Sequence, residues 1–127
     1  MLRPHWTYIG QIDCFGIAPQ RRDSLLKRAM QVVYQNGGEL QLACAENLYD
    51  TDRYDLHCDL PGRPDVFIEF LRALAHNLPP EHVPIVIEAY ERNNLQREDL
   101  IIRGGQLRVR PYEWQAGAER PLHLAAA

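Results

Sequence analysis

Two stretches of helical periodicity, each bracketed by stretches that alternate every second residue, limit the folds open to this chain. After Pro19 the apolar residues Leu25, Leu26, Ala29, Met30 and Val33 recur at the three- and four-residue spacing of one helix face. Asn36-Gly37-Gly38 closes that helix, because glycine readily takes the left-handed conformation of a helix end. Pro64 suits a first helical position, and Phe67, Phe70, Leu71, Leu74 and Leu78 form a second stripe that Pro79-Pro80 stops. Around the helices, Trp6–Cys14, Glu39–Ala45, Tyr54–Leu60 and Val83–Tyr90 read as strands. Asn93-Asn94 reads as a turn, and Leu95–Asp99 as a short helical piece. Leu100–Arg103 and Leu107–Arg110 are two further strands joined by the two-residue turn Gly104-Gly105.

The succession β-α-β-β-α-β followed by a hairpin predicts an α+β fold of the ferredoxin-like, split βαβ kind. Such a fold has an antiparallel sheet with two helices on one face. At 127 residues the chain is long enough for one domain with a single core. That domain is expected over residues 1–112. Residues 113–127 are expected to form a loosely ordered tail, in which Trp114 is the one anchor and Ala125-Ala126-Ala127 reads as a cloning remnant.

Period-two alternation sorts the strand residues by face. Trp6, Tyr8, Ile12 and Cys14, with Leu40, Leu42 and Cys44, with Tyr54, Leu56, Cys58 and Leu60, and with Ile85, Ile87 and Ala89, are expected to face the helices. All three cysteines then belong to the core, where a thiol behaves as a small hydrophobe. Their odd number and the lack of a CxxC spacing point to reduced thiols in a cytoplasmic protein. The opposite set, Gln11, Asp13, Asp55, His57, Asp59 and Glu88, falls on the open face once the first and third strands are neighbours with the fourth beside the first.

Charge is concentrated in one place. Residues 49–59 read YDTDRYDLHCD, and over residues 46–59 Glu46, Asp50, Asp52, Asp55 and Asp59 stand against Arg53 alone. This short segment therefore carries more negative charge than the −3 of the whole chain. Three chemistries suit it. His57 and Asp59 with Asp13 or Glu88 offer nitrogen and oxygen donors for a metal. The same imidazole among carboxylates offers an acid or base, although Ser24 is the only serine and no GxSxG, P-loop or GxGxxG is present. Carboxylates flanked by tyrosines also suit a basic protein partner, since charge steers the approach and aromatic rings supply contact area. A plain solvated sheet face is the alternative to all three. It leaves the repulsion among Asp13, Asp55 and Asp59 to be offset, and Arg108 and Arg110 would do so if the hairpin folded over the sheet.

The partner-binding set expected from these arguments is Tyr49, Asp50, Asp52, Tyr54, Asp55, His57, Asp59, Glu88 and Tyr90. The expected function is a non-catalytic protein-binding domain, in its most concrete form an immunity or inhibitor protein against a toxin or enzyme with a basic surface. The second reading is a small enzyme or metal- or ligand-binding domain using His57, Asp59, Asp13 and Glu88. No cofactor is expected. The net charge argues against nucleic acid, and four basic residues on the first helix (Arg21, Arg22, Lys27, Arg28) are too few for a phosphate-binding surface. MLRPHWTYIG holds no run of signal-peptide length and no stretch reaches membrane-spanning length, so neither targeting nor a membrane is expected. The chain is expected to be a monomer or homodimer, and carboxylates on the open face argue against pairing two copies through it.

Overall fold

The computed structural model describes residues 4–44, 52–62, 65–112 and 121. In chain order the elements are β1 (His5–Asp13), α1 (Pro19–Gln35), β2 (Glu39–Cys44), β3 (Arg53–Pro61), α2 (Asp65–Asn77), β4 (Ile85–Glu91), β5 (Gln96–Arg103) and β6 (Gln106–Pro111). The architecture is α+β: one antiparallel sheet of six strands in the order β2-β3-β1-β4-β5-β6, with two helices packed on it. The central strand β1 sets Thr7 opposite Asp59 of β3 on one side and Tyr90 of β4 on the other.

The core lies between the helices and one face of the sheet. Tyr8, Ile12, Leu56, Cys58, Leu60, Ile87 and Leu100 come from the strands, and Phe67, Leu71 and Leu74 from α2, all of them buried. The Tyr8 and Phe67 rings lie 4.4 Å apart, and Phe67 and Phe70 5.9 Å. Burying each such ring stabilises the fold by about 1.5–3 kcal/mol relative to exposure. Leu26, Ala29 and Val33 are the buried face of α1, while Met30 is 45% exposed. Met30 was expected to join that stripe. It lies one residue, about 100° of helix rotation, beyond Ala29, and so turns outward.

The end of α1 shows how the sequence returns the chain to the sheet. Asn36 Nδ2 donates to the Val32 carbonyl at 2.8 Å, Gly37 adopts φ 78°, and Gly38 N–H donates to the Val33 carbonyl at 3.0 Å. Gly38 then passes so close to β3 that a Cβ there would collide with the Leu60 side chain and the Asp59 carbonyl.

Several expectations are corrected. Residues 96–99 are not helical but form the first half of β5, opposite Glu88–Glu91. The cause is Glu91, whose carboxylate accepts the backbone N–H groups of Asn93 at 3.0 Å and Asn94 at 2.6 Å. That folds Arg92–Leu95 into a tight turn, with Leu95 at φ 53°, and strand alternation resumes at once. β4 begins at Ile85 rather than Val83. Cys44 is exposed, unlike Cys14 and Cys58, because it ends the edge strand β2 and has only β3 beside it. The sequence leaves open whether the hairpin covers the open face, and the pair β5-β6 does not fold over it. It extends the sheet beyond β4, with Arg103 opposite Gln106 across Gly104-Gly105. Pro64, Trp114 and nearly all of the expected tail lie outside the described residues.

Candidate functional site

Each strand places every second residue on the face away from the helices, and the register aligns these residues in rows across the sheet. One row runs Glu39, Asp59, Thr7, Tyr90, Arg97, and the next Gln41, His57, Ile9, Glu88, Asp99, Arg110. Two hydrogen-bonded groups result.

The first is built on Asp59. Thr7 Oγ1 donates to its Oδ1 at 2.7 Å, and Arg92 Nη2 donates to the same oxygen at 3.2 Å. Arg92 Nε also donates to Thr7 Oγ1 at 3.0 Å, closing a triangle. His57 Nε2 lies 3.5 Å from Oδ2 and His5 Nε2 3.8 Å from Oδ1. Burial pushes the Asp59 carboxyl up. The Thr7 hydrogen bond, the Arg92 charge and the two imidazoles outweigh that and hold it below the usual carboxylate range.

The second group is built on Arg97. Its Nη2 donates to Glu88 Oε1 at 3.1 Å and its Nε to Asp99 Oδ1 at 3.2 Å. Arg110 Nη2 donates to the other Asp99 oxygen at 3.1 Å, and Tyr90 Oη donates to Glu88 Oε2 at 2.8 Å. The Arg97 guanidinium sits 4.4 Å from the Tyr112 ring centre and 5.6 Å from that of Tyr90, within cation–π range. The hydrogen bond to Glu88, aided by burial, raises the Tyr90 phenol above its ordinary value.

The sequence-predicted residues divide among four environments. Tyr49 and Asp50 lie outside the described residues. Asp52 accepts from Arg22 Nη1 of α1 at 3.1 Å, so an internal cation already engages it. Tyr54 packs half-buried on the helix side, where burial raises its phenol. Only Asp55, His57, Asp59, Glu88 and Tyr90 share the open face. Asp55 is exposed and accepts from Gln11 Nε2 at 3.0 Å. Glu88 and Tyr90 belong to the Arg97 group.

Of the donors Asp13, His57, Asp59 and Glu88, the structure brings together only His57 and Asp59. Ile9 stands between His57 and Glu88 in their row. Asp13 lies six residues along β1 from Thr7, roughly 20 Å, where it accepts the Phe15 N–H at 2.9 Å and approaches Arg53 and His82 at 3.7 Å. Among the described residues no group of three or more histidine, cysteine or acidic side chains is placed to hold a metal ion. The open-face charges are tied to one another in the plane of the sheet rather than converging on a cavity. A depression along α1 of about 320 Å³, lined by Ser24, Lys27, Arg28, Gln31, Val32 and Gln35, includes none of them.

Thr7, Arg92, Arg97, Asp99 and Tyr112 belong to this face and were not in the expected set. Thr7 was already on the outward side of its strand. Arg97 and Asp99 become visible when QREDLIIR is read as a strand, with Arg97, Asp99, Ile101 and Arg103 on one side.

Fold and face together define a class: an α+β domain whose antiparallel sheet is covered by helices on one side and charged on the other. No family model, curated protein or solved structure matches the chain. Among the described residues no helix is long and apolar enough to cross a membrane.

Proposed function

We propose that the chain is a non-catalytic protein-binding domain, in its most concrete form an immunity or inhibitor protein that neutralises a toxin or enzyme bearing a basic surface. The observation that carries this reading is the row Asp55, His57, Asp59 on β3. These side chains stand on the open face. Gln11 holds the Asp55 carboxylate in place, while Asp59 is held by Thr7 and already paired with Arg92, so Asp55 is the carboxylate best placed to meet a partner. A preordered carboxylate loses little freedom when it accepts a charge-assisted hydrogen bond from lysine or arginine. The acids of residues 49–52 continue the same negative segment in sequence.

The order β2-β3-β1-β4, with α1 and α2 as the connections, supports reading the first six elements as the ferredoxin-like split βαβ arrangement. On this reading β5 and β6 are an appended hairpin. Three free cysteines fit a reducing, cytoplasmic setting.

The test begins with capture of partners from the source cell and their identification by mass spectrometry. Association rates with the purified partner are then compared for the wild type and Asp55→Lys. Asp55 is the better position than Asp52, whose reversal would also break the pair with Arg22. Association about tenfold slower at low ionic strength, with the difference shrinking as salt is added, is the expected result. An unchanged rate at every salt concentration overturns the reading.

A further inference from the structure

β6 is the last strand of the sheet, and among the described residues no strand pairs with its outer side. The pairing with β5 fixes which of its backbone groups are left over. Tyr112 N–H donates to the Arg97 carbonyl at 3.0 Å, one step beyond Pro111 opposite Glu98. In an antiparallel ladder every second pair exchanges both hydrogen bonds, so Arg110, Arg108 and Gln106 bond inward to Asp99, Ile101 and Arg103. Leu107 and Val109 fall between them and direct both N–H and C=O away from the sheet. Pro111 adds an outward carbonyl but no donor.

The side chains of that edge divide by face. Leu107 and Val109 lie on the helix side, Leu107 half-buried against the core and Val109 47% exposed. Beside Leu107 a depression of about 230 Å³ opens between β6 and α2, lined also by Ala75 and His76. Arg108 and Arg110 lie on the open side. Arg110 is paired with Asp99, whereas Arg108 and Arg103 are exposed and make no ion pair with any described carboxylate. Residues 100–112 read LIIRGGQLRVRPY, with arginines and no acid. The acids nearby are engaged or turned away. Asp99 is 4% exposed between Arg97 and Arg110, and Glu69 of α2 holds Arg72. Glu98, opposite Pro111, lies on the helix side.

We infer that β6 is a docking edge for an extended acidic segment of another protein, which lengthens the sheet by one strand antiparallel to β6. This surface is separate from the acidic row on β3 and does not depend on the reading of that row. The bound segment alternates. Its residues opposite Leu107 and Val109 exchange main-chain hydrogen bonds with them and are apolar, since their side chains cover Val109 and the mouth of the depression. Its residues opposite Arg108 and Arg110 are aspartate or glutamate, standing on the open side. Charge selects both the edge and the occupant. The other edge strand, β2, carries Glu39 and runs on in sequence to Glu46, Asp50 and Asp52, so it repels the same segment. A second copy is refused at β6, because pairing Leu107 with Val109 in both directions sets Arg108 against Arg108. Charges and a proline are a usual guard against indiscriminate edge pairing, and an acidic strand is the one that these arginines admit.

The test uses the full chain, isotope-labelled, and a capped peptide of about six residues alternating valine and glutamate. Amide NMR titration is expected to show saturable shifts at Leu107 and Val109 with Kd roughly 0.1–1 mM, the weak range for so small an interface. Hydrogen exchange at those two amides should slow as the peptide binds. Raising salt from about 0.1 M to about 1 M should weaken binding about threefold or more, and Arg108→Glu about fivefold or more. Val109→Pro deletes an outward donor without touching the ladder to β5, the setting in which an edge proline is tolerated, and should abolish binding. Should that variant fail to fold, N-methylation of the peptide residue opposite Val109 removes a hydrogen bond of the same pair and should abolish binding to the wild type. A valine–lysine peptide is expected to give no shift up to roughly 5 mM. The inference is overturned if the lysine peptide binds as well, if the shifts fall on Leu40 and Leu42 of β2, or if no saturable shift appears by roughly 5 mM. Binding that survives both Val109→Pro and N-methylation overturns it too. So does slow exchange of the Leu107 and Val109 amides in the free protein, because another segment or a second copy then already holds the edge.

Discussion

Asp99 and Arg110 stand directly opposite each other on β5 and β6, and the guanidinium Nη2 donates to Oδ2 at 3.1 Å. Asp99 is only 4% exposed although it lies on the open side of the sheet, because Arg97 holds its other oxygen. This carboxylate is a structural clamp joining the last two strands to the sheet. Replacing it with asparagine keeps the shape and removes the charge that two guanidinium groups share. Asp99→Asn is expected to destabilise the fold by about 1.5–3 kcal/mol, the range for hydrogen bonds to charged groups. Urea unfolding of the variant and wild type measures this, and the same loss should not appear in Arg108→Ala, whose hydrogen-bond partner among the described residues is the uncharged Gln106.

The Asp59 group gives a pH dependence whose sign is fixed. The folded state holds this carboxyl below its ordinary value, so the folded state binds the proton more weakly than the unfolded chain does. The stability contributed is fully present above the unfolded pKa and is lost as pH falls through the folded one. Thr7→Val removes the hydroxyl that donates at 2.7 Å and that Arg92 also uses. The Asp59 carboxyl should then titrate closer to the ordinary range, with about 1 kcal/mol of stability lost near neutral pH. Carbon-detected NMR titration of Asp59 in both proteins tests the direction.

How much of this was legible beforehand depends on which interaction fixes each element. The two helices and their stripes were readable because periodicity is local. Phe67, Phe70, Leu71, Leu74 and Leu78 are all buried. Face alternation was readable for the same reason, and it placed Asp55, His57 and Asp59 together. The start of β5 was not, because Asn93-Asn94 reads as a turn while the strand that follows depends on Glu91 accepting two backbone N–H groups. The pairing of carboxylates with arginines was hidden too. Glu88 and Arg97 meet only once the β4–β5 register is set, and nothing local fixes it. A charge count therefore located the acidic segment while overstating how many of its neighbours on the open face are free.

The three cysteines should separate sharply in reactivity. Burial pushes the Cys14 thiol up to about 11 and the Cys58 thiol up to about 12, whereas Cys44 is exposed at the end of β2. Thiolate is the reactive species, and a thiol with a pKa near 12 is ionised to roughly one part in ten thousand at pH 8. A thiol-specific disulfide reagent should label one cysteine of the folded protein quickly and all three only in denaturant. Mass spectrometry should find the early label on Cys44, and Cys44→Ser should abolish the fast phase without changing stability by more than about 0.5 kcal/mol.

Gly38 tests the packing that places β2 beside β3. A methyl group there would meet the Leu60 side chain, fully buried in the core, and the carbonyl of Asp59, whose backbone is fixed by pairing with Glu39. Neither neighbour can retreat cheaply: Leu60 is surrounded by core, and moving the carbonyl distorts the β2–β3 ladder. Gly38→Ala should therefore cost about 1–3 kcal/mol, the scale of overpacking in a filled core, even though alanine usually lowers the entropy cost of ordering the chain. Gly104→Ala tests a different strain, since φ is 58° there but no atom lies within 4 Å of an added Cβ. It should cost about 1 kcal/mol from backbone conformation alone. Urea melts of the two variants distinguish the causes. A second substitution, Leu60→Ala, makes room beside Gly38, so the Gly38→Ala penalty should shrink in that background while the Gly104→Ala penalty stays the same.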